Sequence, residues 1–213
     1  MKSFVILGAG RFGQSVAKTL YSLGNEVLVI DNDEIKISEI ADCVTKAIIG
    51  DCSDEIVLKS LGVRNFDVAI IAVGGNLETS IMATMLLKEM GVKYILAKSS
   101  NDTHSKILKK VGADKVVLPE KDMGIKIAKN LVSENMLDYI ELSHDYSIAE
   151  IALPLKWIGK NIREINVRAT YNINIMAIKT KTEIQVNPDA ERVFLDGDVL
   201  VVVGKNEDIE SIE

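Results

Sequence analysis

Short apolar runs recur along the first 118 residues, separated by segments of helix length. The runs are rich in β-branched residues and apolar at every position, which is typical of strands buried on both faces of a parallel sheet. Segments such as 11–23 and 76–90 have the length of helices. Six such strand–helix units predict an α/β fold, a Rossmann-like doubly wound parallel sheet. The predicted strands are residues 4–7, 27–30, 47–49, 68–71, 94–96 and 116–118.

The pattern changes in the last third of the chain. Residues 122–135 predict one more helix, whose apolar positions recur at helical spacing. That apolar stripe comprises Ile125, Ala128, Leu131 and Val132. Apolar and polar residues then alternate at 147–151, which predicts a half-buried strand, and turn sequences follow at 187–189 and 195–198.

These changes predict two domains. The Rossmann-like domain occupies residues 1–136, and a small α+β domain occupies residues 137–213. A unit of about 75 residues has a small core and often gains stability by pairing with a second copy. We therefore expect a homo-oligomer.

Composition and charge narrow the function classes. Charged residues make up 26% of the chain and the net charge is −6, without a basic block, so the positive footprint of a nucleic-acid-binding protein is missing. No apolar run approaches the ~20 residues of a membrane span, and no signal peptide precedes the first strand. Cys43 and Cys52 fit no metal spacing. We expect a cytoplasmic protein without direct membrane insertion.

A G-x-G-x-x-G motif follows the first predicted strand and opens a helix. Gly8 permits the tight turn, Gly10 lets the backbone approach a diphosphate, and Gly13 lets the helix pack closely on the sheet. The helix N-terminus offers N–H groups to phosphates. Asp31 ends the second strand, where a carboxylate can accept hydrogen bonds from ribose hydroxyls. The alternative is a glycine-rich turn that binds nothing.

Further candidates lie at the same edge of the predicted sheet. Arg11, inside the loop and followed by Phe12, could clamp a terminal phosphate, or could be a solvated helix residue. Asp51 and Cys52 could frame the adenine, or could form a plain turn before a helix capped by Ser53.

The next two strands also end in candidates. Gly74, followed by Gly75 and Asn76, could form a backbone wall of the pocket, or a turn with Asn76 as helix cap. Lys98 ends the fifth strand and could face the phosphates.

Candidates for catalysis are few. His104 lies at a polar helix start and His144 in a polar turn, so we expect both side chains to face solvent. No Ser-His-Asp order and no metal-ligand cluster is evident, so we expect a regulatory protein and no enzyme. The alternatives are a small NAD(P)-dependent oxidoreductase, which the fingerprint and Asp31 also suit, and a structural module that has lost its ligand.

The chain resembles the regulatory subunits of Ktr and Trk potassium-uptake systems, the RCK (or KTN) proteins. The resemblance covers essentially the whole chain and is closest to the Ktr type, which has one pair of RCK domains per chain. It rests on the glycine motif at 8–13, the acidic end of the second strand, Gly50-Asp51, and the segments 118–124, 166–169 and 197–204.

The resemblance implies a cytosolic gating ring of dimers, eight copies in all, docked on a membrane potassium-transporter subunit at the inner face of the membrane. ATP or ADP binds in the Rossmann cleft, and Arg11 contacts the terminal phosphate. The carboxylate of Glu120 holds Mg²⁺ or Ca²⁺ between subunits, unless it merely stabilises a helix N-terminus. Cyclic di-AMP binds the second domain at Arg168, Asn174, Ile175 and Pro188, unless Arg168 is simply solvated.

Overall fold

The computed structural model describes residues 1–132 and 136–212. The first part is a six-stranded parallel sheet with helices between the strands. Its strands are β1 (Ser3–Leu7), β2 (Glu26–Asp31), β3 (Lys46–Ile49), β4 (Val68–Ile71), β5 (Ile95–Lys98) and β6 (Lys115–Val117). Its helices are α1 (Arg11–Ser22), α2 (Glu34–Ile40), α3 (Glu55–Ser60), α4 (Leu77–Glu89) and α5 (Asp102–Val111).

The strand order is β3-β2-β1-β4-β5-β6, and every neighbouring pair is parallel. All six predicted strands are present, and the predicted doubly wound fold is confirmed. The central strands carry the core: Val5, Ile6, Leu7 and Ile30 are fully buried. The order reverses between β1 and β4, so the carboxyl ends of these strands form the crevice where such sheets bind ligands.

The second part is a small antiparallel sheet with the order β10-β9-β11-β8-β7. Its strands are β7 (Met136–Glu141), β8 (Tyr146–Ala152), β9 (Asn174–Lys179), β10 (Ile184–Val186) and β11 (Val199–Lys205). Short helices α7 (Ile162–Ile165), α8 (Val167–Tyr171) and α9 (Asn206–Glu210) accompany it. The alternation predicted at 147–151 is present, because Ser147, Ala149 and Ile151 are buried while the residues between them are partly exposed. The expected α+β domain is confirmed.

Helix α6 (Pro119–Val132) connects the two sheets along the chain. It begins three residues before the predicted helix, and residues 133–135, where that helix was predicted to end, lie outside the described residues. Ile125, Ala128 and Leu131 of the predicted apolar stripe are exposed. Contacts group Met1–Glu120 as one unit and Lys121–Glu213 as the other, so α6 falls mostly in the second.

No helix in the described part of the chain is both long and apolar enough to cross a membrane.

Candidate functional site

A cavity of about 450 Å³ opens at the carboxyl ends of β1, β2, β3 and β4. Pockets for small ligands usually enclose about 300–1,000 Å³, so the volume suits one. Eight residues named from the sequence line it: Gly8, Gly10, Asp31, Asp51, Cys52, Gly74, Gly75 and Asn76. The remaining lining residues are Asn32, Lys36, Ala72, Val73 and Thr79.

The three motif glycines meet different surroundings. Gly8 has φ +105°, and a Cβ there would lie 2.9 Å from the backbone nitrogen of Val73. A Cβ at Gly13 would lie 3.1 Å from the Cβ of Ala72 and would collide with the Gly8 carbonyl. A Cβ at Gly10 would have no atom within 4 Å. Gly8 and Gly13 are therefore required by packing, whereas Gly10 leaves open space at the cavity.

Gly10 is also the N-cap of α1 and provides no side-chain cap, and the first turn of this helix carries no acidic residue. The N–H groups of the first turn of an α-helix have no partner within the helix and carry a partial positive charge. The start of α1 therefore presents donors suited to a phosphate beside Gly10.

Asp31 is fixed by the loop that it faces. One carboxylate oxygen accepts a hydrogen bond of 2.6 Å from the backbone N–H of Ala9, and the other accepts one of 3.0 Å from the backbone N–H of Asp33. The side chain is only 9% exposed. A carboxylate has about four acceptor positions, so Asp31 retains capacity for the hydroxyls of a ribose.

Asp51 and Cys52 close the cavity beside β3. Asp51 accepts hydrogen bonds from the backbone N–H of Ser53 at 2.8 Å and from its hydroxyl at 2.6 Å, and these hold the pKa of Asp51 below its usual value. The alternative in which Ser53 caps the next helix was wrong, because the side chain of Asp54 accepts hydrogen bonds from the first turn of α3 instead. Burial, with smaller contributions from Asp31 and Asp51, raises the pKa of the Cys52 thiol to about 12.

The loop after β4 forms the opposite wall. Gly74 and Gly75 line the cavity, and the Asn76 side chain accepts a hydrogen bond of 3.1 Å from the backbone N–H of Thr79. Asn76 is therefore both the cap of α4 and a lining residue. The two interpretations left open by the sequence are compatible in the structure.

A second group of candidates lies beside this cavity without lining it. Lys98, at the end of β5, forms an ion pair of 2.5 Å with Glu120 in the first turn of α6. The Lys98 ammonium also lies 5.8 Å from the centre of the Phe12 ring. The hydrogen bond from Lys98, then the backbone N–H of Glu120 and, least, the charge of Arg11 hold the pKa of Glu120 below its usual value.

Several lining residues were not predicted from the sequence, and one of them, Lys36, carries a charge. Its ammonium forms an ion pair of 3.0 Å with Asp33, and this pair and Asp31 raise the pKa of Lys36. Lys36 could have been found from its position, because it lies in the first turn of the helix that follows the acidic end of β2. Asn32, Val73 and Thr79 gave no signal beyond their closeness to strand ends.

The expectation for His104 was wrong. Its side chain is 2% exposed and packs against α4, where Nε2 lies 2.8 Å from the Ser80 hydroxyl. Nδ1 accepts a hydrogen bond of 3.3 Å from the backbone N–H of Ser100. The polar residues around it suggested solvent exposure, but the third residue of α5 turns inward between two helices. His144 is exposed, as expected.

The candidates of the second domain occupy neighbouring elements. Arg168 is exposed on α8, while Asn174 and Ile175 begin β9. Pro188 follows Asn187, whose backbone N–H donates to the Met176 carbonyl of β9 at 2.9 Å. Among the described residues Arg168 has no ion-pair partner.

Comparisons with known proteins agree with this architecture. The TrkA-N domain family matches residues 4–119, and the TrkA-C domain family matches residues 147–213. The chain is also similar in fold to a GsuK channel, with a TM-score of 0.71 and 19% identity. That likeness covers 100% of this chain and 39% of the GsuK chain.

Two relatives from Bacillus subtilis (strain 168) match this chain over nearly their full length. The chain is 47% identical over 212 residues to Ktr system potassium uptake protein C, and 43% identical over 212 residues to Ktr system potassium uptake protein A. In both cases the match covers 100% of this chain and 96% of the relative. With both domains matched, the chain belongs to the TrkA-N and TrkA-C family of Ktr and Trk potassium-uptake proteins.

Proposed function

We propose that the chain is the nucleotide-sensing regulatory subunit of a membrane potassium-uptake transporter, in which exchange of ATP and ADP changes the shape of a gating ring. The observation that carries the proposal is the cavity between the glycine-rich loop and Asp31, in a chain whose relatives are Ktr potassium-uptake proteins.

An adenine nucleotide suits this cavity group by group. The phosphates meet the start of α1 at Gly10, the ribose hydroxyls meet Asp31, and the base lies towards Asp51 and Cys52. The structurally similar GsuK channel has been solved bound to NAD and bound to ADP. ATP and ADP are the proposed ligands, and NAD(H) fits the same groups.

Arg11 gives the site a means to distinguish ATP from ADP. It is the exposed first residue of α1, next to the start of the helix where phosphates would bind. A guanidinium binds phosphate oxygens strongly, and ATP has a terminal phosphate that ADP lacks. A ligand shifts a conformational equilibrium only by its difference in affinity for the two conformations, and the Arg11–phosphate contact would provide one.

The cavity favours binding over catalysis. Two of its acidic groups, Asp31 and Asp51, already accept hydrogen bonds from neighbouring N–H or O–H groups. The thiol of Cys52, with a pKa of about 12, stays protonated at neutral pH and is a poor nucleophile. We therefore propose a sensor and not a reductase.

The test is to identify the nucleotide that copurifies with the full chain, followed by calorimetric titration of the stripped protein with ATP, ADP and NADH. Micromolar binding of ATP and ADP supports the proposal. Steady loss of reduced-nicotinamide absorbance with a carbonyl substrate, and no binding of ATP or ADP, would instead establish the oxidoreductase.

Glu120 is proposed to hold Mg²⁺ or Ca²⁺ between subunits. Its carboxylate is 71% exposed and has a lowered pKa, so it is ionised and suits a hard cation. The described residues include no group of three or more potential metal ligands. Phosphate oxygens and a second subunit would have to complete the coordination. The check is whether Glu120→Gln abolishes the effect of divalent cations on ATP affinity.

Cyclic di-AMP is the proposed second ligand, bound at Arg168, Asn174, Ile175 and Pro188 across a two-fold axis. Two arginines facing each other repel unless an anion lies between them, and a cyclic dinucleotide carries two phosphates. Titration of the full chain should show binding that Arg168→Ala removes. Arg163→Ala is the control, because Arg163 is already paired with Glu191 at 3.0 Å.

The proposed assembly is a cytoplasmic ring of four dimers, docked on the transporter at the inner face of the membrane without inserting into it. The support in the chain is apolar surface on α6, where Ile125, Ile127 and Leu131 are 47%, 51% and 81% exposed. Surfaces of this kind are usually covered by a partner. Mass photometry with and without nucleotide measures the number of copies directly.

A further inference from the structure

Lys98 connects four parts of the first unit. Its backbone ends β5, its ammonium pairs with Glu120 at 2.5 Å, and it lies 5.8 Å from the Phe12 ring centre in the glycine-rich loop. A Cβ built on Gly74, which lines the cavity, would lie 3.3 Å from Nζ of Lys98. The ammonium is therefore next to the cavity wall and next to the start of α1.

The two partners of the ion pair differ in exposure. The side chain of Lys98 is 14% exposed and that of Glu120 is 71% exposed. Water reaches the exposed carboxylate and screens its attraction for the ammonium. The pair is therefore weak enough for a stronger anion to replace Glu120.

A nucleotide phosphate is such an anion. Lysine carries three donors on a flexible stem of four carbons, so the ammonium can turn without movement of the backbone. The ammonium already lies beside Gly74, and Gly74 and Gly10 line the same cavity. The contact with Glu120 is also a hydrogen bond between charged groups, but the phosphates of a nucleotide carry more negative charge than one carboxylate and would hold the ammonium more strongly.

We propose that Lys98 exchanges partners: it is the counter-ion of Glu120 until a nucleotide phosphate takes it over. This inference rests on the proposed nucleotide function. Loss of Lys98 frees the carboxylate of Glu120, on which the charge of Arg11 also acts. Phosphate binding would thereby change the charge balance at the first turn of α6, which leads the chain into its second unit.

The exchange is tested by binding of ADP to the full chain in EDTA, which removes divalent cations. Lys98→Gln should weaken ADP binding by about ten- to hundredfold, the value of a charged hydrogen bond. Glu120→Gln should strengthen it by about twofold to fivefold, because the competitor for Lys98 is gone. In the Lys98→Gln background, Glu120→Gln should have no effect.

The double variant separates exchange from simple repulsion. If Glu120 only repels the phosphates, its removal strengthens binding in both backgrounds, and the exchange is refuted. Unchanged affinity of either single variant also refutes it.

Lys88→Gln is the matched control, because Lys88 forms an ion pair of 3.3 Å with Asp114. This variant should bind ADP as tightly as the wild type. A wild-type chain that binds no adenine nucleotide would instead overturn the proposed function.

Discussion

Because there is open space at Gly10, we predict that a substitution there weakens nucleotide binding with little change in the stability of the fold. A Cβ there has no atom within 4 Å, and the residue has φ −71° and ψ 179°, a conformation open to any amino acid. Gly10→Ala should therefore leave the fold intact. It should change the free energy of unfolding by less than about 1 kcal/mol, because alanine restricts the unfolded chain but is a poorer N-cap than glycine.

The same methyl group should obstruct the ligand. The phosphates are proposed to contact the backbone N–H groups at the start of α1, and these contacts require approach to the Gly10 backbone itself. Hydrogen bonds to charged groups contribute about 1.5–3 kcal/mol each. If Gly10→Ala prevents two of these hydrogen bonds, ATP should bind roughly a hundredfold or more weakly. Gly10→Val should weaken ATP binding further.

Gly13→Ala is the matched contrast. Its added methyl would collide with the Gly8 carbonyl and lie 3.1 Å from Ala72, so it should lower the free energy of unfolding by about 1–3 kcal/mol. Urea unfolding gives the stabilities, and calorimetric titration with ATP gives the affinities. A folded Gly10→Val variant that binds ATP as tightly as the wild type would refute the placement of the phosphates.

Three further predictions use other contacts. Asp31→Ala should weaken the binding of ATP and of ADP equally in calorimetry. Arg11→Ala should weaken the binding of ATP roughly ten- to hundredfold more than that of ADP. Equal losses of affinity in the Arg11 variant would show that Arg11 does not distinguish the two nucleotides. Burial lowers the pKa of His104 from its usual 6.5, so the unfolded chain binds the extra proton first and stability should fall as pH drops below 6.5. His104→Gln should lose less stability than the wild type between pH 7.5 and 5.5 in urea unfolding, and an identical loss would contradict this. Asp198 is 4% exposed and pairs with Arg192 at 3.0 Å, so Asp198→Ala should cost about 3–5 kcal/mol, against under about 1 kcal/mol for Lys59→Gln in an exposed pair. Similar costs for both would mean that burial does not govern these pairs.

The parallel sheet could be predicted because its central strands β1, β2 and β4 are buried on both faces. That burial requires uninterrupted apolar runs. Runs such as 27–30 and 68–71 are easily recognised because a polar residue directly precedes each of them. The glycine motif and Asp31 could be located for a related reason, since strand ends carry the loops that form the crevice.

Partnerships between distant residues could not be predicted. Lys98 and Glu120 are 22 positions apart, and only the pairing of β5 with β6 brings the end of one strand close to the helix after the other. Nor does the motif reveal that Asp31 accepts a hydrogen bond from Ala9, which depends on how β1 and β2 lie side by side.

His104 illustrates a second limit. Local polarity suggested solvent exposure, yet the residue lies between α4 and α5 with both ring nitrogens near hydrogen-bonding groups. Burial of a polar side chain is decided by the helix packed against it. A single sequence does not show that Ser80 is available as a partner.

Potassium flux into vesicles that contain a potassium-transporter subunit tests the central claim most directly. The full chain is added on the cytoplasmic side with saturating ATP, with saturating ADP or with no nucleotide. The account predicts different fluxes with ATP and ADP, and a smaller difference with Arg11→Ala. Equal fluxes under all three conditions, with the chain shown to be bound to the vesicles, would contradict it.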